Sequence, residues 1–162
     1  MDALRIAEGS AVADLGAGGG WFTMRLANRV GPNGVVYAED IQQQMIEAIK
    51  RRVTSAGLKN VVTILGTPSD PLIPEPVDAV LIVDAYHEVE EPVVMLRNIA
   101  VKLKPAGRLG IVEFKKDGWG PGPPMDERVD AERVIRDAEA AGLRLVSTET
   151  FRYQYMLVFA RT

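Results

Sequence analysis

The chain has 162 residues, enough for one domain with a sizeable core, and its 47% hydrophobic and 25% charged residues are those of an ordinary globular protein. A net charge of −3 offers no bulk attraction to nucleic acid or to an anionic membrane, and no apolar run reaches membrane-spanning length. The absence of cysteine removes disulfides, thiolate nucleophiles and sulfur-ligated metals from the chemistry open to it.

The start, MDALRIAEGS, has no signal-peptide pattern, so a cytoplasmic protein is expected. Ser10 to Leu15 is a short apolar run that stops at glycines, the pattern of a buried strand. Phe22, Leu26 and Val30 then fall four apart, one face of a helix over Trp21 to Val30. Pro32-Asn33-Gly34 is a turn, and Val35 to Glu39 a second strand. Ile41, Met45, Ile49 and Val53 repeat every four residues and predict a helix closed by Gly57. Val61 to Leu65 and Val77 to Val83 are the third and fourth strands. Pro92 suits a first helical turn; Leu96, Ile99, Ala100 and Leu103 make that helix's inner face, and Pro105 stops it. Arg108 to Phe114 is the fifth strand. Asp130 caps a helix to Ala141, with Gly142 after it. Leu143 to Thr148 and Tyr155 to Ala160 end the chain as two strands. Alternating strands and helices imply right-handed crossovers and a parallel sheet covered on both faces. The last strand lacks a crossover helix before it and should run antiparallel. Ligands of such sheets sit at the carboxyl ends of the strands, near the switch point, which is where the first glycines fall.

Those glycines stand in ADLGAGGGW, Ala13 to Trp21. A dinucleotide loop, G-x-G-x-x-G, counted from Gly16 needs a glycine where Trp21 stands. The spacing that fits is acid-x-G-x-G-x-G, met by Asp14, Gly16, Gly18 and Gly20. A carboxylate about 6 Å from a pyrophosphate charge would be repelled by roughly 3 kcal/mol at an effective dielectric of about 20, and would attract a cation by as much. A ligand carrying an ammonium and a sulfonium suits this loop; a pyrophosphate does not. The second strand ends in VYAEDIQ, where this fold offers an acid to a ribose diol. Strand alternation points only one of Glu39 and Asp40 at the ligand, and Asp40 is the expected one.

Together VADLGAGGGWFT, VYAEDI, VDAVLIVDAYHEV and LKPAGRLGIVEF resemble the class I S-adenosylmethionine-dependent methyltransferases, most nearly the small bacterial type 11 or domain-25-like proteins, over nearly the whole chain. The resemblance implies an α/β, Rossmann-like fold. Its sheet is seven-stranded and mostly parallel, with helices on both faces and an antiparallel last strand, in a single domain over residues 1–162. It implies S-adenosylmethionine as cofactor, with the methionine part on Asp14, Gly16, Ala17, Gly18 and Gly20, and the ribose hydroxyls on Asp40 beside Ile41. Two departures stand out. Relatives often carry Gly-Asp after the third strand, the acid reaching the adenine amine; here Gly66-Thr67-Pro68 follows, so Thr67, Pro68 or backbone is expected to serve, with Asp70 nearby. Many relatives also begin with helices folded over the cofactor. Here a dozen residues precede the glycine motif. The lid is therefore expected to be short or absent, unless the chain is shortened or a second subunit of a homo-oligomer supplies it.

The fourth strand ends in DAYHEVEEP, which places Asp84, Tyr86, His87 and Glu88 at the carboxyl edge where the cofactor methyl is expected. An activated sulfonium needs an in-line acceptor and little else, so positioning supplies most of the rate. An oxygen or nitrogen acceptor also benefits from a general base. His87, the only histidine, is the candidate, with Asp84 as a second catalytic candidate and a cofactor contact. The plainer alternatives are a helix-start residue for His87 and a turn cap for Asp84. Asp84 and Glu113 are two of the carboxylates a divalent cation would need, but a third ligand has no counterpart and no metal is expected. Lys115 and Lys116 either receive an acidic substrate or form a solvated rim; Trp21 and Trp119 either line the pocket or pack. The loop from Asp117 to Met125 sits where this architecture shapes substrate choice. The expected activity is methyl transfer to a small-molecule acceptor, with neither nucleic acid nor membrane as partner. The alternative is a cofactor-binding module without turnover.

Overall fold

The computed structural model describes residues 1–118 and 120–162, so the expectation for Trp119 lies outside the described residues. The elements in chain order are β1 (Ala11–Leu15), α1 (Trp21–Val30), β2 (Val35–Asp40), α2 (Gln43–Ser55), β3 (Val61–Leu65), β4 (Val77–Val83), α3 (Pro92–Ala100), β5 (Leu103–Phe114), α4 (Ala131–Ala140), β6 (Leu143–Thr150) and β7 (Gln154–Arg161). They build one seven-stranded sheet in the order β3-β2-β1-β4-β5-β7-β6. β1 pairs in parallel with β2 and β4, and β4 with β5, whereas β7 runs antiparallel to both β5 and β6. The antiparallel last strand expected from the missing crossover is therefore present. Central strands buried on both faces read as continuous apolar runs, and β1 and β4 do.

The two faces carry separate cores. On one, Leu26, Ala27 and Val30 of α1 pack with Val12, Val36, Ala79 and Val158 of the sheet. Leu4 and Ile6, from the first residues, join that cluster, a role their short stretch of sequence did not announce. On the other, Leu96 and Ile99 of α3 and Val134 and Ala138 of α4 cover Ala13, Val80, Ile111 and Phe159. β1 lies between β2 and β4, so the chain leaves it in one direction and returns on the other side. The crevice outside the carboxyl ends of β1 and β4 is the switch point.

β2, β6 and β7 run one or two residues beyond their expected ends, and two boundaries differ in kind. Ile41 stands outside α2 and is exposed, because the Asp40 carboxylate accepts the Gln42 backbone N–H at 3.0 Å and holds the chain in a turn before the helix starts. Leu103 and Pro105 belong to β5, not to the end of α3. The ladder passes from Val77–Leu103 to Ala79–Arg108, so the residues between Leu103 and Arg108 bulge against Asp78 alone. Proline, with no N–H to give, is tolerated in a bulge.

Candidate functional site

The loop after β1 turns on glycines in the left-handed region. Gly16 has φ 65°, and a Cβ there would stand 2.6 Å from the Ala85 Cβ, so the loop after β4 lies directly against it. Gly18 has φ 56°, and a Cβ there would meet nothing within 4 Å, because the space beside it is open. The Ala17 N–H donates to the Glu39 carbonyl at 2.8 Å, and the Gly18 N–H to the Asp40 carboxylate at 3.0 Å. The loop is thereby tied to the end of β2.

These segments enclose a cleft of about 290 Å³ at the carboxyl edge. Eight of the residues singled out in the sequence line it: Gly16, Gly18, Glu39, Asp40, Ile41, Pro68, Asp84 and Glu88. Asp14, Ala17, Gly20, Thr67 and His87 do not. Asp14 is buried behind the loop, where Thr23 donates its hydroxyl to the carboxylate at 2.7 Å. Burial lifts its pKa to about 6, the Asp40 charge adding to the effect and the Thr23 bond opposing it. Gly20 caps α1. The Thr67 hydroxyl is engaged in its own turn, donating to the Asp70 carbonyl at 3.0 Å and accepting the Asp70 N–H at 2.9 Å.

Glu39 corrects the alternation argument. Both it and Asp40 line the cleft. Asp40 ends the strand, and its short side chain folds back to the Gly18 and Gln42 N–H groups. The longer Glu39 side chain reaches Gly66 at the end of β3, so closely that a Cβ on that glycine would lie 2.6 Å from its Oε1. Burial first, then the Asp40 charge, raises the Glu39 pKa to about 8, despite a backbone hydrogen bond from Gly16.

Asp84 closes the cleft on the β4 side. It has φ 54°, an unfavourable value for a residue with a side chain, and its N–H is fixed by the Val112 carbonyl at 2.9 Å. Gln154 donates its amide to both carboxylate oxygens, at 2.8 and 3.1 Å. Burial raises the Asp84 pKa, against the Gln154 bond and the nearby His87.

His87 turns the other way. Its Nδ1 lies 3.0 Å from both oxygens of the fully buried Glu113, and its backbone N–H donates to the same carboxylate at 3.0 Å. Its ring lines a polar groove toward α4, together with Lys116, Arg133 and Asp137. Burial raises the Glu113 pKa, and the bonds from His87 oppose the rise. Lys115 and Lys116 lie off the cleft, Lys115 Nζ on the Arg152 carbonyl at 3.4 Å and Lys116 Nζ 3.9 Å from Asp130. Trp21 stands on the α1 side of Asp84, half-exposed, with Phe22 edge-on at 4.8 Å between centroids and the Arg25 guanidinium 3.8 Å from its ring centre. Sequence reasoning missed Arg128, a buried cation that gathers the loop before it by donating to the carbonyls of Lys115 (2.8 Å), Pro121 (3.2 Å) and Pro123 (2.9 Å). The signal was there in principle: a loop rich in proline and glycine leaves carbonyls without regular partners.

Comparison with known proteins agrees with this geometry. Residues 6–160 match the family described as a methyltransferase domain. An uncharacterised methyltransferase of Mycobacterium tuberculosis is 38% identical over 156 residues, which is 93% of this chain and 57% of that protein. The ubiquinone/menaquinone biosynthesis C-methyltransferase of Ectopseudomonas mendocina is 29% identical over 154 residues, 93% of this chain and 58% of that protein. The chain thus spans somewhat more than half the length of these relatives. A solved structure of an S-adenosylmethionine-dependent methyltransferase from Aquifex aeolicus superposes with a TM-score of 0.89 at 32% identity, covering 95% of this chain and 83% of that one. The glycine loop, the acid at the end of β2, the sheet order and these likenesses agree, and the chain belongs to the methyltransferase-domain family, of the class I S-adenosylmethionine-dependent kind.

Proposed function

We propose that the cleft binds S-adenosylmethionine and that the chain transfers its methyl group in line to a small-molecule acceptor. The observation that carries this reading is the pairing of Gly18 with Asp40. The space beside the Gly18 backbone is open where any side chain would fill it, so a ligand can lie directly on the loop. The Asp40 carboxylate accepts one backbone N–H on each oxygen, from Gly18 and from Gln42. An ionised carboxylate has about four acceptor sites, so about two remain, the number a ribose diol needs. Ile41 and Pro68 offer apolar surface beside it for a base. When bound, the cofactor supplies a methyl group on a sulfonium that is already activated. The chain's task is then to hold an acceptor in line, and Asp84, on the β4 side of the same cleft, is a polar group placed to do so. His87, facing Glu113, fixes the turn that follows Asp84 and acts as a positioning residue. Two observations support a small molecule as acceptor: the net charge of −3, and a relative named for ubiquinone and menaquinone biosynthesis.

Calorimetric titration with S-adenosylhomocysteine and with NAD tests the cofactor. Saturable binding of S-adenosylhomocysteine alone is expected. Binding of NAD with no response to S-adenosylhomocysteine overturns the reading.

A further inference from the structure

We propose that an apolar slot on the α1 side of Asp84 is the acceptor subsite, and that it takes a flat, apolar ring system bearing one hydroxyl or amine, whose proton passes to Asp84. The proposal rests on the methyl-transfer reading above and names its substrate class.

The slot, of about 480 Å³, has a floor set by strand register. Val83 pairs with Val112, and Val112 with Met156, so the three form one row across β4, β5 and β7. Adjacent strands lie about 4.8 Å apart, which makes the floor roughly 10 Å wide and flat. Trp21 and Phe151, 54% and 46% exposed, also line the slot. Arg25 covers one face of Trp21, and the aromatic surface that stays bare beside the slot is costly in water and can stack against a ring. Among the described residues lining the slot, the side chains are apolar apart from the Trp21 indole N–H and the Asp84–Gln154 pair, and those two are bonded to each other. An apolar ring with one X–H group finds a matching surface and a single acceptor for its proton.

Asp84 is the one described residue that lines both the slot and the cofactor cleft. That places the only carboxylate of the slot at the junction where an acceptor atom meets the methyl. The transfer balances without another reagent. The acceptor's X–H proton goes to the Asp84 carboxylate as the X–C bond forms. The C–S bond breaks with its electron pair left on sulfur, giving a neutral thioether, and Asp84 later releases the proton to water. Burial, which raises the Asp84 pKa, strengthens the carboxylate as a base. The left-handed backbone at Asp84, held by Val112 and Gln154, is strain of the kind found where a side chain must be aimed.

The test uses the whole chain saturated with S-adenosylhomocysteine and, separately, free of it, with 2-naphthol and 2-methoxynaphthalene as probes followed by calorimetry. We expect saturable binding of 2-naphthol, weakened at least tenfold in V112D, with S-adenosylhomocysteine affinity unchanged within twofold. Wild type should prefer 2-naphthol to its methyl ether by about tenfold or more, the value of a charge-assisted hydrogen bond. D84N, which tolerates the left-handed backbone at least as well, should lose that preference while still binding both ligands. Absence of 2-naphthol binding, equal binding to V112D, or a preference that survives in D84N overturns the proposal. So does a dimer by sedimentation that 2-naphthol fails to dissociate and V112D does, since the slot is then an interface between copies. If S-adenosylhomocysteine fails to bind, the methyl-transfer reading falls by that result alone. If it binds and 2-naphthol does not, only the acceptor class falls.

Discussion

Glu39 gives the sharpest single perturbation. Its carboxyl is buried beside Asp40, and its pKa rises from the ordinary 4.5 to about 8. A group with a raised folded pKa binds more protons folded than unfolded. Its contribution to stability is complete below about pH 4.5, falls as pH rises between the two values, and is fully lost above about pH 8. At pH 7 the loss covers about 2.5 pH units, or about 3 kcal/mol at roughly 1.4 kcal/mol per unit. Glu39→Gln has nearly the same shape as the protonated acid, keeps an oxygen for the Gly16 N–H and removes the titration. It should therefore match wild type near pH 4.5 and exceed it by up to about 3 kcal/mol at pH 7, a rise in Tm of about 6–12 °C for a chain of this size. Asp14, whose pKa is lifted to about 6, contributes a similar decline over a lower window, but in both proteins. The difference between the two curves therefore isolates Glu39. Thermal and urea unfolding of the ligand-free proteins at pH 5, 6, 7 and 8 measures it. A gap that does not change with pH, or a variant less stable than wild type at pH 8, would refute the assignment of burial and the Asp40 charge as its cause.

The remaining tests bear on the cleft and its supports. Asp40→Ala should weaken S-adenosylhomocysteine binding tenfold or more by calorimetry, since it removes charge-assisted bonds worth roughly 1.5–3 kcal/mol each; unchanged affinity would remove it from the diol. Gly18→Val should abolish binding through a side chain placed in the cleft, and should cost about 1–3 kcal/mol of stability from its left-handed backbone; retained binding would mean the ligand does not touch that loop. His87→Ala removes the imidazole from the buried Glu113 carboxyl, leaving it the backbone N–H of residue 87, and should lower stability by about 1–3 kcal/mol. With any acceptor found, the same variant should lose less rate than the 10²–10⁴ typical of a missing general base. A loss in that range, with a pH–rate profile breaking near histidine's usual pKa of about 6.5, would restore His87 as the base. Arg128→Met should open the loop from Asp117 to Met125 to limited proteolysis, leaving S-adenosylhomocysteine affinity unchanged; a loop as resistant as wild type would show that other contacts hold it.

Local features were the most legible in the sequence. The apolar runs of β1 and β4, the spacing Asp14, Gly16, Gly18, Gly20, and the lack of a crossover before β7 each follow from neighbours along the chain. The errors arose where distant segments decide. Alternation alone kept Glu39 out of the cleft, but Gly66, on another strand, leaves the room its side chain uses. Leu103 fits a helical spacing after Ile99, and only its pairing with Val77 makes it a strand residue. His87 follows Asp84 closely, yet the short 3-10 turn at Tyr86–Glu88 carries the ring to Glu113, a partner on β5. The slot joins Trp21, Val112, Phe151 and Met156, which no single stretch of sequence connects.

The sheet divides the labour at Asp84. On the α3 and α4 face, the last charged group of β5 is Glu113, and it is occupied by His87, closed from above by the turn that follows β4. On the α1 face, the neighbouring residue of β5 is Val112, and its row is apolar up to the Asp84–Gln154 pair. Alternation along β5 thus sends one residue to support and the next to the slot. On the far face the histidine is held by a buried carboxylate, and its backbone N–H ties the turn to β5. In the proposed acceptor reading the proton goes to Asp84, the one carboxylate among the described residues that lines both cavities. It follows that changes at His87 should act through the placement of Asp84, and that Glu113→Gln, which keeps the shape and an oxygen for the His87 N–H, should preserve 2-naphthol binding better than His87→Ala does.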